Sequence, residues 1–526
     1  MRTDSIVVVG GGSAGWMTAA TLIKNFPNKK ISVIESHDVP TVGVGESTLG
    51  QINEWLHTLD INEDDFMKDC DASLKLSIKF TDWGGKGAGS FHYPFGEPWM
   101  VGTAFGVNDW FIKKAMYPET PVTDFCDSFY PQMPLVEKNK IIKNENQELP
   151  GWTYKRDVAY HFDATKFGAW LREKYCIPKG VVHIVGTVKE DIEVDSEGIT
   201  HLELTTGEII KADLYIDCTG WKSLLLGKTL NVPFESYEDI LPNNSAWATR
   251  LPYTDKPTEL EGYTDCTAIG NGWVWNIPLW SRIGTGYVFS DKYISKEDAL
   301  EEYKNYLKYD RKVKVDPEVV DNLEYRHIQM RVGIHKELFV KNVCAIGLSA
   351  GFIEPLESNG LLSVHEFLHH LVRTLSRDDI GFIDRTGFNM ASRGYFRPFA
   401  EFVSLHYLLN QRNDTLYWRE AKERRFATGN DLPGTYISYG FENLIHNRDV
   451  MNTFEPRMGG AIIIGVGLNY FPLGPANIKR GEYKIGTSLN YVRDAFDVWE
   501  SNKLYWNRVA DDAPTIYEYL KSKYGE

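Results

Sequence analysis

The sequence has few cysteines, and none of them forms a CxxC pair. Its 526 residues contain six cysteines, scattered over positions 70, 126, 176, 218, 266 and 344. In a chain of this length, scattered single cysteines argue against a disulfide framework or a zinc finger. Reduced thiols, and with them a cytoplasmic location, are therefore expected.

The sequence also lacks long apolar runs and an excess of positive charge. No stretch approaches the roughly 18 consecutive apolar residues that indicate a transmembrane helix. Lys and Arg number 57 against 72 Asp and Glu, a net charge of −15. Binding phosphate groups needs clustered positive charge. We therefore expect neither a nucleic acid nor a membrane as a partner.

The N-terminus has the pattern of a strand, a glycine turn, a helix and a second strand. The apolar run 6–9 precedes three glycines spaced as GxGxxG, and the apolar run 31–34 ends at Glu35. Such glycines permit a tight turn and the close approach of a pyrophosphate, while the acidic residue accepts from ribose hydroxyls. The glycine spacing alone is a weak signal, and a purely structural turn is the alternative. The dinucleotide site is assigned to Gly10, Gly12, Ser13, Ala14, Gly15 and Glu35.

Two further segments favour FAD over NAD as that dinucleotide. Residues 214–220 resemble the second nucleotide-contacting strand of flavoproteins with two dinucleotide-binding motifs, and residues 43–48 resemble a loop near the flavin. A second glycine fingerprint is absent, so we expect that the reducing equivalents arrive on FAD and that NAD(P)H is not bound. The residues added to the cofactor site are Gly45, Ser47, Thr48, Val188, Asp217 and Gly220.

The most specific motif is a pair of tryptophans followed by Ile-x-Pro. Taken alone, Trp273-x-Trp275-x-Ile277-Pro278 could be a strand with two aromatic side chains packed on one face of a core. The string resembles the WxWxIP signature of flavin-dependent halogenases of the tryptophan-halogenase family. Residues 347–358 and 402–419 resemble two further blocks of that family, and the resemblance covers roughly residues 5–420.

The resemblance implies an oxidoreductase that uses reduced FAD (FADH2), O2 and a halide such as chloride or bromide. In this family a flavin hydroperoxide oxidises halide to hypohalous acid, which then halogenates an electron-rich arene. The resemblance further implies a small aromatic substrate, indole-like or related, a separate flavin reductase as partner, and a monomer or homodimer. The same blocks add Trp273, Trp275, Gly347 and Leu348 to the expected FAD site.

Lys79 and Glu357 are the catalytic residues that the resemblance implies. Residues 74–80 alternate between apolar and polar side chains, which by itself puts Lys79 on the polar, solvated face of a strand. The family carries its catalytic lysine on this segment, so Lys79 is expected to hold hypohalous acid or to form a haloamine. Burial would favour either role by lowering the lysine pKa. Glu357 is expected to accept the ring proton as a general base, although acidic residues are also common near helix N-termini.

The halide and the substrate are expected close to these residues. Backbone N–H groups around Ser358, Asn359 and Gly360 correspond to the family's halide cradle, and Asn359 replaces the usual threonine. Tyr93 and Phe95 correspond to a substrate-stacking His-x-Phe, with tyrosine in the place of histidine. The tyrosine pair and the glutamate that hold a free tryptophan are not found, which argues against free tryptophan as the substrate.

Three alternatives stay open at this point. An FAD-dependent aromatic monooxygenase would transfer oxygen itself, and a catalytically silent flavoprotein would only produce peroxide. A zinc peptidase is suggested by His365-Glu366-x-x-His369, because histidines four residues apart share one face of a helix. A third ligand is not evident, so we expect no metal.

The predicted fold class is α/β, since strands and helices alternate and 43% hydrophobic residues suffice for a large core. We expect an FAD-binding, two-dinucleotide-binding (Rossmann-like) module merged with a mainly helical substrate-binding part. Residues 1–80 and 151–374 are assigned to the first and residues 81–150 and 375–526 to the second, with no independent linker-separated domains. Further strands are predicted at 74–80, 181–188, 201–205, 214–217 and 343–346, and helices at 14–24 and 361–375.

Overall fold

The computed structural model describes residues 1–36, 46–99, 110, 113–114, 116–424, 456–469 and 489–525. The strands are β1 (Ser5–Val9), β2 (Lys30–Glu35), β3 (Glu46–Ser47), β4 (Ser73–Lys75), β5 (Ser77–Thr81), β6 (Ser90–Pro94), β7 (Ala159–Phe162), β8 (Val182–Val185), β9 (Leu202–Glu203), β10 (Ile209–Ile210), β11 (Leu214–Asp217), β12 (Phe234–Ser236), β13 (Ser245–Leu251), β14 (Tyr263–Ile269), β15 (Gly272–Pro278), β16 (Ile283–Phe289), β17 (Arg326–Gln329), β18 (Gly333–His335), β19 (Phe339–Val340), β20 (Val343–Ala345) and β21 (Gly351–Phe352). The α-helices are α1 (Ser13–Asn25), α2 (Ile52–Thr58), α3 (Glu63–Phe66), α4 (Asp124–Phe129), α5 (Met133–Glu137), α6 (Tyr154–Asp157), α7 (Ala164–Trp170), α8 (Lys256–Glu259), α9 (Lys296–Asn305), α10 (Pro317–Asn322), α11 (Gly360–Leu375), α12 (Phe382–Leu409), α13 (Leu416–Ala421), α14 (Pro456–Gly467), α15 (Leu489–Asp511) and α16 (Ile516–Tyr524). Short 3-10 or π turns span Leu171–Cys176, Ile177–Lys179, Gly220–Lys222, Leu224–Thr229, Tyr306–Asp310, Gly347–Ser349 and Pro355–Glu357.

A six-stranded sheet forms around the N-terminal strand, in the order β19-β20-β11-β1-β2-β8. Strand β1 pairs in parallel with β2 on one side and with β11 on the other. Its β-branched residues 6–9 are buried, as expected of a strand covered on both faces. Because these strands are parallel, the glycine turn after β1, Glu35 on β2 and Asp217 on β11 reach the same edge of the sheet.

A seven-stranded sheet, in the order β17-β13-β16-β15-β14-β5-β6, was not predicted from the sequence. Its strands pair antiparallel, except that β5 runs parallel to β14. Every residue of β15 and β16 is buried, so neither strand carries the alternation of apolar and polar residues that marks a half-exposed strand. Burial on both faces removed the signal.

The predicted strand 74–80 is two strands in two different sheets. Strand β4 pairs with β7 in a three-stranded sheet of order β3-β7-β4, whereas β5 belongs to the seven-stranded sheet. The chain changes sheet at Leu76, whose N–H donates to the carbonyl of Gly262 at 2.7 Å. Lys75 is fully buried, while Lys79 is partly exposed. The two lysines, which would share a face in one continuous strand, therefore lie in different surroundings.

Helices dominate the described residues beyond position 375, as predicted. Helix α11 starts one residue before the predicted helix 361–375 and ends with it. Strand β6 lies within residues 81–150 and pairs with β5, so the sheet crosses the predicted boundary at residue 80; the division into two parts stays a prediction. Among the helices of the described ranges, none combines the length and the apolar composition that a bilayer span requires. The molecule is thus a mixed α/β fold.

Candidate functional site

The glycine turn between β1 and α1 allows very close backbone packing. Gly10 has φ +118°, and a Cβ on it would lie 2.2 Å from the carbonyl oxygen of Cys218. A Cβ on Gly15 would lie 1.8 Å from the carbonyl oxygen of Gly10. Helix α1 begins directly after Gly12, and the N–H groups of a first helical turn lack partners within the helix. The turn therefore presents N–H groups of residues such as Ser13 and Ala14 to an anion.

Glu35 stands beside this turn at the end of β2. Its side chain packs on Gly11, where an added Cβ would come within 2.3 Å of the carboxyl carbon. Oε2 of Glu35 accepts from Nη1 of Arg172 at 3.0 Å and lies 2.9 Å from Nε2 of His183. The carboxylate is thus held in place, and its side chain remains 21% exposed.

Two more predicted loops meet the same sheet edge. A Cβ on Gly347 would lie 2.8 Å from Cβ of Ala14, and Oγ of Ser349 donates to the carbonyl of Gly220 at 3.3 Å. The structure therefore brings Gly220 and Gly347 to the start of α1, together with half-buried Leu348. Asp217 has another task, because its buried carboxylate accepts from backbone N–H groups of Thr219, Leu225 and Leu226 at 2.8–3.0 Å. The carboxylate oxygens of Asp217, which were expected to face the cofactor, thus hold the loop that follows β11.

Other predicted cofactor residues lie away from this edge or serve packing. The buried indole of Trp273 donates to Oε2 of Glu354 at 3.0 Å. The Trp275 ring covers Gly286, where a Cβ would come within 2.1 Å of the ring. Val188 is buried and forms an isolated bridge with Leu204. Gly45 lies outside the described residues.

Lys75 is the lysine that the structure buries beside the Glu357 segment. Its Nζ donates to Oγ of Ser358 at 2.7 Å and to the carbonyl of Thr48 at 2.9 Å. Nζ also lies 4.8 Å from the centre of the Phe95 ring. Burial lowers the pKa of Lys75 to about 7, against a smaller opposing effect from Cys266 and Glu357. A substantial fraction of this amine is therefore neutral near pH 7.

The structure does not bring Lys79 to this place. Its Nζ lies 5.4 Å from the centre of the Tyr263 ring. The nearest strand partners of Lys79 are Asp265 on β14 and His92 on β6, and its charge acts on both of these side chains. Lys79 is thus part of a separate polar group, and Lys75 takes the place in which Lys79 was expected.

Glu357 is buried at the end of a 3-10 turn and is paired with a histidine. Its Oε1 lies 2.8 Å from Nε2 of His406, and the two side chains are 1% and 0% exposed. Nδ1 of His406 lies 3.0 Å from the carbonyl of Val403, so that Nδ1 carries a proton and donates. The rings of Phe80 and Phe402 flank the imidazole with centroids at 4.8 and 5.8 Å. This carboxylate and imidazole are therefore enclosed by aromatic side chains.

The predicted halide residues form the turn that leads into α11. Ser358 adopts φ +56°, an unusual backbone conformation for a serine. Nδ2 of Asn359 donates to the carbonyl of Ile353 at 3.2 Å, while its buried Oδ1 has no hydrogen-bond partner among the described residues. Gly360 is the first residue of α11. Ser358, Asn359 and the start of α11 thus directly follow Glu357.

Tyr93 and Phe95 lie on β6 and directly after it, two residues apart. The Tyr93 and Phe402 rings have centroids 6.3 Å apart, and the Phe95 ring faces Lys75. Burial, aided by the charge of Glu357, raises the pKa of Tyr93. The two predicted substrate residues therefore accompany the buried amine and carboxylate.

The HExxH string does not converge on a metal. His365 is buried in α11, and burial lowers its pKa to about 3, whereas His369 is exposed. Within the described residues, His, Cys, Asp and Glu form no group of three or more suited to a metal ion. These histidines belong to the packing and the surface of the helix.

Three residues of this region were not predicted from the sequence. Lys75 and Lys79 lie four residues apart and would share one face of a continuous strand, so the alternation of side chains does not distinguish them. His406 lies within residues 402–419, which resemble a family block, but its contact with Glu357 has no signal in the sequence. His161 is fully buried on β7 and carried no recognisable signal.

Comparison with known proteins identifies the family. A sequence profile described as "Tryptophan halogenase" matches residues 5–434. The chain is 36% identical to tryptophan 6-halogenase SttH of Streptomyces toxytricini over 439 residues, which cover 80% of this chain and 81% of that protein. The apo structure of VirX1 superposes with a TM-score of 0.90 at 35% identity over 100% of both chains. BrvH, a flavin-dependent halogenase from Brevundimonas sp. BAL3, superposes with a TM-score of 0.82 at 28% identity over 99% of both chains.

These matches confirm the prediction of an enzyme, and of a flavin-dependent halogenase. The family profile covers residues 5–434, which include both the glycine turn after β1 and the buried Lys75 on β4. The chain belongs to the tryptophan halogenase family.

Proposed function

We propose that the protein halogenates an electron-rich aromatic compound, indole-like or related, with reduced FAD, O2 and halide. The observation that carries this proposal is the buried Lys75, whose Nζ donates to Ser358 next to Glu357 and faces the ring of Phe95. A neutral amine, a carboxylate and aromatic walls in one enclosed place suit the transfer of a halogen to a flat ring.

The residues at the sheet edge fit FAD. The glycines at positions 10 and 15 permit a tight turn into α1, whose first N–H groups can bind a pyrophosphate, and Glu35 offers a carboxylate to ribose hydroxyls. Gly220 and Gly347 border the same edge. When bound, reduced FAD supplies with O2 the oxidising equivalents that convert halide to hypohalous acid. In this proposal, residues 1–80 and 151–374 form the part that binds FAD, and residues 81–150 and 375–526 form the part that binds the arene.

Lys75 takes over the role expected of Lys79. Its neutral form can bind hypohalous acid through a hydrogen bond or accept the halogen as a haloamine. Burial, by lowering the pKa of Lys75 to about 7, makes that form available at neutral pH. The hydrogen bonds to Ser358 and Thr48 fix the direction in which Nζ points.

Glu357 acts as the base that removes the ring proton. Its buried side chain lies beside the imidazole of His406, with Glu357 Oε1 2.8 Å from His406 Nε2. Nδ1 of His406 donates to the carbonyl of Val403, which fixes the orientation of the ring. As a carboxylate, Glu357 can accept the proton that leaves the arene.

The relatives named for tryptophan support an indole-like substrate, and the walls of the site support a flat one. Tyr93 stands where a stacking histidine was expected, and it lies against Phe402. A tyrosine is larger than histidine and carries a hydroxyl, so the preferred arene differs from free tryptophan.

A separate flavin reductase is the electron source, because the sequence carries one glycine fingerprint, used for FAD, and no second one for NAD(P)H.

All six cysteines are free and five are buried, which suits a reducing, cytoplasmic environment.

The test is a reaction of the purified enzyme with chemically reduced FAD, bromide and a panel of arenes, read by product mass. A brominated product supports the proposal. A hydroxylated product would instead support a monooxygenase, and peroxide without any arene product would support a silent flavoprotein.

The halide preference is expected to favour iodide and bromide over chloride by about tenfold or more. The unpartnered Oδ1 of Asn359 adds a lone pair beside the start of α11. Chloride is the smallest of the three, sheds water least readily and needs the best-aligned donors. Competition between equimolar halides for one arene measures the preference.

Asn359→Thr is the matched variant for this prediction. Removing the carboxamide should raise the chlorinated share of the product. Dominant chlorination by the unmodified enzyme would show that Asn359 does not set the preference.

A further inference from the structure

A row of buried polar side chains crosses the three-stranded sheet β3-β7-β4. Ser47, His161 and Ser73 are register partners on its three strands, and they are 8%, 0% and 0% exposed. Burying a row of polar groups is costly unless each is hydrogen-bonded. The function proposed above makes no use of His161.

A continuous series of hydrogen-bond contacts connects His161, in the middle of this row, to Lys75 through three hydroxyl groups. Nζ of Lys75 lies 2.7 Å from Oγ of Ser358, which lies 3.0 Å from Oγ of Ser47. Ser47 Oγ lies 2.7 Å from Oγ1 of Thr264. Thr264 Oγ1 lies 2.9 Å from Nε2 of His161. We call Ser358, Ser47 and Thr264 the hydroxyl chain.

The direction of every hydrogen bond in the hydroxyl chain follows from its far end. The hydroxyl of Ser73 donates to the carbonyl of Pro278, so Ser73 Oγ accepts from Nδ1 of His161 at 3.3 Å. With its proton on Nδ1, neutral His161 offers a lone pair at Nε2. Thr264 must then donate to Nε2, and each earlier hydroxyl must donate toward Thr264. All bonds thus point from the amine to the imidazole.

We propose that His161 is the proton acceptor for Lys75, reached through the hydroxyl chain. This inference rests on the proposed function, in which Nζ must be a neutral amine. When a halogen moves from hypohalous acid to Nζ, the halogen–oxygen bond breaks, a nitrogen–halogen bond forms and water leaves. Starting from the ammonium form, this step releases one proton, and His161 receives it.

The charge of Lys75 opposes this transfer only while Nζ is an ammonium. Burial, and to a lesser extent the positive charge of Lys75, hold the pKa of His161 well below its usual value, so in molecules with the ammonium form the proton rests on Lys75 before the halogen arrives. Glu357 and Cys266 are the titratable groups that favour the charged form of Lys75. Once Nζ is neutral, its repulsion of a charged His161 disappears. The proton then stays within the buried network instead of crossing to solvent.

Thr264→Val tests the proposal, because valine keeps the shape of threonine and removes the hydroxyl. We expect a halogenation rate about ten- to a hundredfold lower, and recovery in Thr264→Ser, which restores the hydroxyl. Thr267→Val is the matched control on the same strand, since Thr267 Oγ1 accepts from Tyr306 outside the hydroxyl chain. The control should react like the unmodified enzyme.

The second readout needs neither flavin nor halide. Cyanate carbamylates neutral amines, so the pH dependence of Lys75 carbamylation, read by peptide mass spectrometry, reports the pKa of Lys75. Cutting the hydroxyl chain removes stabilisation of the ammonium, so Thr264→Val should lower this pKa. A loosened structure that admits water would raise it instead. Should Thr264→Val not fold, Ser47→Ala interrupts the hydroxyl chain at another link and receives the same two measurements.

An unchanged halogenation rate in Thr264→Val overturns the proposal, as does an unchanged or raised pKa of Lys75 in that variant or failure of Thr264→Ser to recover the rate. The proposed function fails separately, if a variant without the Lys75 amine halogenates at the unmodified rate. An inactive Lys75 variant beside a fully active Thr264→Val variant overturns the relay alone.

Discussion

A Lys75→Met variant is expected to lose at least about a thousandfold in the rate of arene halogenation, whereas Lys79→Met stays within about threefold of the unmodified enzyme. The two substitutions are chemically identical and lie four residues apart. Only Lys75 is fully buried beside Ser358 and Glu357, while Lys79 lies against Tyr263. Product formation is measured by mass spectrometry with reduced FAD, halide and one accepted arene.

Flavin binding and O2 consumption serve as the control for this pair. Both variants should bind FAD and consume O2 normally, since neither lysine lies at the sheet edge around Glu35. Loss of halogenation in Lys79→Met with retention in Lys75→Met would return the catalytic role to Lys79.

Lys75→Met should also raise the stability of the fold below pH 7. Burial lowers the pKa of Lys75 from 10.5 to about 7, so between these values the unfolded chain binds more protons than the folded one. The free energy of unfolding of the unmodified protein therefore rises with pH between about 7 and 10.5. Below pH 7 Lys75 is charged in both states, so the destabilisation from burying its charge is at its maximum. Lys75→Met should add about 1–3 kcal/mol to the free energy of unfolding at pH 6, after its lost hydrogen bonds are counted. The gain, followed by denaturant unfolding, should shrink toward pH 10.

A Gly12→Val variant is expected to lose at least about a hundredfold in FAD affinity while keeping its fold. Gly12 has φ −75° and ψ −177°, an extended conformation that valine adopts readily. The branched side chain would then stand beside the first turn of α1, where the pyrophosphate must approach the backbone. Titration of flavin fluorescence measures the affinity, and circular dichroism checks the fold.

Gly387→Val is the matched control for the turn. Gly387 is an exposed helical glycine, and a Cβ on it would meet no described atom within 4 Å. It should bind FAD like the unmodified protein. Identical titration curves for both variants would remove the glycine turn from the cofactor site.

The parts of the fold that follow from local rules were predictable. The glycine spacing, the buried run before it and Glu35 after the next run lie close together in sequence, and the structure joins them as β1, α1 and β2. The helix α11 shows the same agreement, because its apolar spacing is contained within one segment.

The parts that depend on distant partners were not predictable. Lys75 and Lys79 lie an even number of residues apart, so the alternation of side chains along a strand gives both the same predicted face. They lie in two sheets because the chain changes sheet at Leu76, whose N–H donates to the carbonyl of Gly262, far along the chain. Likewise, Ser47, His161 and Ser73 form one row only through the register of three strands. Asp217 was recognised as a nearby acid, but its acceptors are used by its own loop.

The change of sheet at Leu76 gives one short stretch of chain two independent registers. The pairing of β4 with β7 positions the amine of Lys75, whereas the pairing of β6 with β5 positions the aromatic wall at Tyr93. Under the proposed function, exchanging side chains along β6 alters which arene fits without displacing the amine. Arene selectivity and halogenating reactivity could then change independently, and a redesign of the wall would leave Lys75 in place.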